Sequence, residues 1–163
     1  MAGTMKSTTQ DLICTGYSKV GATAGWTVGG GAVNIGRLAT CPASQTAATL
    51  VVPVEGLQVG DVIEGFYLQG QIESAGNTVT LDANLRSFTV GTADMTDASV
   101  GSITQISKTA DSAVDVNNSL KSGLAAQVTT KKSFYVLLTA TTGASTDIDL
   151  GAVVVRVRRE FTK

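Results

Sequence analysis

The sequence predicts an all-β protein: a single β-sandwich of jelly-roll type, with about eight to ten antiparallel strands and little helix. Three observations predict it. Apolar residues alternate with polar ones through the longest patterned stretches, the period of a half-buried strand. Glycine is abundant, with 18 residues against 2 prolines, and only 15% of the chain is charged, a mix that suits short turns and disfavours long amphipathic helices. The 163 residues fit one domain and are enough to bury a core.

Taken in order, residues 1–10 (MAGTMKSTTQ) read as a polar N-terminal arm, and the sandwich is expected over 11–163. Asp11 to Thr15 is a short candidate strand. Gly21 to Gly36 holds six glycines around Trp26, Val28, Val33 and Ile35, which predicts two short strands about a glycine turn. In Thr46 to Val54, Leu50, Val52 and Val54 share one face, and Pro53, which lacks an N–H, places the strand at an edge or ends it. Gly56 to Asp61 is a connecting turn.

Val62 to Val90 reads as a long hairpin. Val62, Phe66, Leu68 and Ile72 are apolar at even positions, and Val79, Leu81, Ala83 and Leu85 at odd ones. An even-length loop around Gly76-Asn77 puts both sets on one face, with Ile72 opposite Leu81 and Leu68 opposite Leu85. The other face then pairs Gln71 with Asp82, Gln69 with Asn84 and Tyr67 with Arg86, all compatible with water. After Arg86 the apolar set becomes Phe88 and Val90, which calls for a bulge or a change of sheet. Each arm would run about 36 Å at roughly 3.3 Å per residue. Thr92 to Gly101 is a polar loop, Ser102 to Ile106 and Ser112 to Val116 are short strands, and Val116 to Ala126 is either a helical turn or a loop leading to a strand at Ala126 to Thr130.

Ser133 to Thr141 and Asp147 to Arg159 carry the densest apolar material and read as a second hairpin. Pairing Ala140 with Ile148 sets Val136 against Ala152 and Phe134 against Val154. Tyr135, Leu137, Val153 and Val155 collect on the opposite face, so the far end is apolar on both sides and needs two covers, one of them a second segment or a second subunit. Arg156 would fall on the core parity, which calls for a bulge near Gly151 or for the strand leaving the core there.

Several functions are disfavoured. There is no histidine, which removes His-based triads and the commonest metal ligand. Net charge is -1 with mixed signs, unlike a nucleic-acid protein. No apolar run reaches the ~18–20 residues of a membrane span, and the N-terminus lacks the apolar core of a secretory signal. Cys14 and Cys41 read as reduced, buried small hydrophobes. The glycine run at 29–31 does not complete a phosphate-loop pattern, because Asn34 stands where a glycine is needed. Asp147 and Asp149 share a strand face and in principle suit Ca²⁺ or acid–base work, but two carboxylates without a third ligand read as a solvated edge. Asp94 and Asp97 lie in the polar loop. Trp26, Tyr17, Tyr67 and Tyr135 are candidates for a sugar-stacking platform. No catalytic, cofactor-binding or metal-binding residue is assigned, and no enzyme activity is expected. The candidate interface is Tyr135, Leu137, Val153, Val155 and the basic strand end Arg156, Arg158 and Arg159.

The stretch KSFYVLLTATTGASTDIDLGAVVVRV (Lys132 to Val157) resembles the closing hairpin of small jelly-roll modules in bacteriophage structural proteins, those of head decoration, head fibres and tail fibres. Leu50 to Leu81 is similar to their earlier strands. The resemblance implies a homotrimer with a non-enzymatic role on a virion, and it does not say which part of the particle. The absence of a fibrous repeat or a long stalk favours a compact part that decorates a capsid and binds its shell, and with the charge and hydropathy above no nucleic acid, membrane or cofactor is expected. The alternative it leaves is a tail-fibre or carbohydrate-binding sandwich that engages a host glycan.

Overall fold

The computed structural model describes residues 5–16, 18–19, 25–28 and 39–162. The predicted strand residues Val33 and Ile35, the glycine run 29–31 and Tyr17 lie outside them. In chain order the elements are β1 (Met5–Cys14), β2 (Ser18–Lys19), β3 (Thr27–Val28), β4 (Ala39–Cys41), β5 (Ala48–Pro53), β6 (Val62–Val90), β7 (Met95–Ser102), β8 (Ile106–Val114), the helical turn α1 (Val116–Ser119), β9 (Ala126–Gln127), β10 (Lys132–Thr141) and β11 (Thr146–Thr162). The strands form one curled antiparallel sheet, and the expected all-β class is the observed one.

The sheet is built on a long ribbon. Residues 62–90, expected as a hairpin, run as one strand of 29 residues. Straight, it would span about 95 Å, against a breadth of roughly 40 Å for a compact chain of this size. It therefore bends at residues 74–78, where Gly76 takes φ +92°. β10 lies antiparallel to its second half (Lys132 beside Thr89, Thr141 beside Thr80), and β11 continues along its first half (Thr146 beside Ser74, Arg158 beside Val62). The two predicted hairpins are thus replaced by one folded-over pairing: Ile72 stands beside Ile148, not Leu81, and Ala140 beside Leu81, not Ile148.

Parity explains the difference. An even-length hairpin loop turns the second arm's odd positions onto the first arm's even face. A bulge with an odd number of extra residues does the same within one strand. β8 measures it: Gly70 to Leu81 of β6 is matched by Val114 to Ile106, with register shifts on both sides of Ala75. Phe66, Leu68 and Ile72 before the bend and Val79, Leu81, Ala83 and Leu85 after it are all fully or almost fully buried.

The bulge predicted near Gly151 is present, between Leu150 and Ala152. It turns Val153, Val155 and Val157 inward and Arg156 outward. Beyond Arg86, by contrast, no inversion occurs: Ser87 is buried and Val90 is half exposed. Val153 and Val155 are completely buried inside a single chain, and Val154 on the other face is buried as well. Both covers belong to the protein itself, so these valines are not an interface. Each contributes about 1.5–3 kcal/mol to the fold by its burial.

Smaller corrections follow from the pairing. Met5 to Gln10, read as part of an arm, lie in β1, paired with Thr162 to Val157 of β11. The segment read as a polar loop contains β7, paired with β6 from Asn84 to Val90. Its residues are mostly exposed, so they carry no apolar alternation to betray a strand. Pro53 ends β5, as its missing donor requires.

Candidate functional site

The outer face of the half-sheet β5–β10–β6–β7 carries an array of ordered polar side chains. Strand register sets it in rows. Pro53, Tyr135, Arg86 and Ser99 form one row; Val51, Leu137, Asn84 and Ser102 the next; Thr49, Thr139 and Asp82 the third. Alternation dictates this arrangement: Leu50, Val52, Val136, Leu138, Leu81, Ala83 and Leu85 point into the core, so their neighbours in sequence must point out. A shallow groove is lined by Asp82, Asn84, Arg86, Ser102, Leu137 and Thr139.

Hydrogen bonds hold the polar half of this face in place. The Asn84 amide donates to Ser102 Oγ (2.8 Å) while its oxygen accepts from Ser99 Oγ (2.9 Å). Gln105 Nε2 donates to Asp82 Oδ2 at 2.8 Å. Arg86 Nε lies 3.1 and 3.0 Å from the two Asp97 oxygens, and its Nη2 lies 2.9 Å from Oδ2. The guanidinium holds the Asp97 carboxyl below its ordinary pKa. Partial burial pushes the Tyr135 phenol up, with its hydrogen bond to Asp97 adding to the rise. β5 and β10 supply the apolar half, through Pro53, Val51, Leu137 and the Tyr135 ring.

Of the predicted interface residues, Tyr135 and Leu137 lie here, half-buried on the outer face. The basic strand end lies elsewhere, and its charges are matched within the chain. Arg156 Nε bonds Asp11 Oδ1 at 3.0 Å. Arg158 meets Glu64 at 3.1 Å and also Glu160. Arg159 grips Asp61 with Nε and Nη2, at 2.7 and 2.6 Å. Internal pairing accounts for the cluster.

Among the described residues, the candidate aromatic platform of Trp26, Tyr67 and Tyr135 does not assemble on one face. Trp26 is fully buried and donates to the Ala48 carbonyl at 3.2 Å, and Tyr67 reaches Asp11 from the β11 side. Cys14 and Cys41 are free buried thiols, as expected; burial raises both, Cys41 to about 12.

Asp147 and Asp149 gain a third carboxylate that the sequence reading did not supply. Glu73 lies beside Asp147 across the β6–β11 pairing, and oxygens of the three groups fall within 4.8 Å of one another. Thr40 Oγ1 donates to Asp149 Oδ1 at 2.7 Å. Among the described residues, these three form the group whose chemistry suits a hard cation. Glu73 was missed because it converges only once β6 and β11 are known to pair. Asn84, Ser99, Ser102 and Gln105 were missed for the same reason, although the polar alternation at 82, 84 and 86 already marked a wet face.

No known protein family matches the chain, and no curated protein matches it. Among solved structures it is similar to the CBM36-1 domain of a multidomain xylanase from the hindgut metagenome of Trinervitermes trinervoides. The two share 10% identity at a TM-score of 0.47, over 91% of this chain and 96% of that one.

Proposed function

We propose that this protein is a non-catalytic carbohydrate-binding β-sandwich module, and that the outer face of β5, β10, β6 and β7 is its binding surface. The observation that carries this reading is the ordered polar array on an open sheet face. Asn84, Asp82, Gln105 and the Arg86–Asp97 pair are fixed by hydrogen bonds before any ligand arrives, which lowers the entropy cost of binding. Tyr135 and Leu137 beside them offer apolar surface to the C–H face of a sugar ring. Acid–base or nucleophilic catalysis finds little support in a chain without histidine. A glycan microarray tests the proposal. The wild-type protein should give reproducible glycan signals that Tyr135→Ala and Asn84→Ala abolish; signals unchanged in both variants would refute this face as the site.

A second reading, a homotrimeric virion protein that decorates a capsid, keeps one observation in its favour. Lys6 to Thr9 of β1 and Glu160 and Phe161 of β11 form an exposed two-stranded ribbon, suited to gripping a neighbouring subunit or shell protein. Its apolar argument has weakened, since Val153 and Val155 are internal. Light scattering at micromolar concentration decides it: this reading requires a trimer, and a monodisperse monomer removes it.

A further inference from the structure

We infer that the ligand of this face is an uncharged polysaccharide lying along β10 and β6, and that acidic glycans are rejected. The inference rests on the carbohydrate-binding reading and adds the ligand's charge and direction to it.

Direction comes from the two chemically distinct halves of the face. Pro53, Val51, Leu137 and Tyr135 form an apolar strip on β5 and β10; Arg86, Asn84 and Asp82 form a polar strip on β6, backed by Ser99, Ser102 and Gln105. The boundary between the strips runs along the strands. A pyranose chain has the same division, with C–H faces and hydroxyl edges, and satisfies both strips only when it lies along that boundary. From Tyr135 to Thr139 the boundary extends about 13 Å at roughly 3.3 Å per residue.

Charge comes from the inventory of the polar strip. Its ionised side chains are Asp82, Arg86 and Asp97, two carboxylates against one guanidinium. Arg86 pairs with Asp97 through Nε and Nη2, so the charge of the cation an anionic sugar would need is already offset. Asp82 lines the groove itself, and a carboxylate there repels a second one. The amide groups point the other way. An Asn side chain carries two donors and two lone pairs; Asn84 places one donor on Ser102 and accepts once from Ser99. One donor and one lone pair remain among the described residues, which is the complement of a sugar hydroxyl.

Affinity electrophoresis with soluble polymers tests this. The neutral set is glucomannan, dextran and hydroxyethyl cellulose; the acidic set is polygalacturonate and alginate. The protein should be retarded by at least one neutral polymer and by neither acidic one. Asn84→Ala should weaken the neutral interaction about tenfold, the scale of one lost hydrogen bond. The double variant Asp82→Asn/Asp97→Asn, which removes both carboxylates and frees the Arg86 guanidinium, should bring retardation by an acidic polymer that fades as salt is raised. The fluorescence of buried Trp26 checks that each variant is folded. Retardation of the wild type by acidic polymers, lost in Asn84→Ala, would overturn the charge inference while leaving the binding face intact. Retardation by neither set would overturn the face as a carbohydrate site, and the inference with it.

Discussion

Asp61 closes one end of the sandwich, and its replacement by asparagine is the most telling perturbation of the fold. The residue is 1% exposed and accepts three hydrogen bonds: from Arg159 Nε (2.7 Å), from Arg159 Nη2 (2.6 Å) and from the Gln58 amide (2.8 Å). Its own backbone ties the 58–61 turn to the segment after β9, with the Val128 amide donating to the Asp61 carbonyl at 2.8 Å. Asparagine keeps the shape but loses the charge and turns an NH2 group toward a guanidinium, so about two charge-assisted bonds are lost. Losing charge-assisted bonds at this part-buried pair costs about 1–3 kcal/mol. For a domain of this size each kcal/mol moves Tm by roughly 2–4 °C, giving a fall of roughly 2–12 °C. The pH dependence has a definite sign. The Arg159 hydrogen bond holds the Asp61 pKa below its ordinary value. Its contribution is therefore complete above the unfolded carboxylate pKa and is lost as pH falls through the folded one. Thermal melts followed by circular dichroism from pH 7 to pH 2.5 should show the gap between wild type and Asp61→Asn closing below about pH 5. Glu160→Gln, which alters an exposed partner of Arg158, is the control and should change little. A Tm difference under about 2 °C at pH 7, less than 1 kcal/mol on the same scale, or a gap constant across the range, would refute the role assigned to the pair.

Two further predictions concern packing and thiols. Gly70→Ala should destabilise the protein by about 1–3 kcal/mol in urea unfolding, since the new Cβ would lie 2.3 Å from the Asp149 carbonyl oxygen, a backbone atom of the paired strand that cannot turn aside. Cys14 and Cys41 should react with a disulfide reagent only after unfolding, because both are buried and burial holds both thiols in the protonated form; rapid labelling of the native protein at pH 8 would contradict it.

Periodicity made much of this fold legible and topology little of it. The buried sets at 50, 52 and 136, 138, the two opposite-parity sets of β6 and the bulge beside Gly151 all follow from alternation, because alternation reports which face a side chain takes. It does not report the neighbouring strand. The switch between Ile72 and Val79 satisfies a tight hairpin and a bulged continuous strand equally, and Gly76-Asn77 serves as the turn in one and the bend in the other. The deciding information lies in long-range pairing, with β10 and β11 laid end to end along β6. Local residues carry no trace of that choice. β7 was hidden for a different reason: an edge strand with both faces wet needs no apolar pattern.

The same distinction separates the proposed binding face from the interface first expected. Apolar residues on both faces of a strand identify a strand with two covers, and whether the second cover is another subunit or another part of the chain depends on topology alone. Here the ribbon folds over, and Val153, Val154 and Val155 vanish into one subunit. Once those valines are accounted for, the prominent feature left on the sheet is its opposite: ordered amides, hydroxyls and a carboxylate beside a thin apolar strip. An obligate subunit interface would resemble a core cut in half. A surface whose polar groups are pre-positioned but not exhausted suits a ligand that brings hydroxyls of its own, which is why the chemistry of this face favours a glycan over a second copy of the chain.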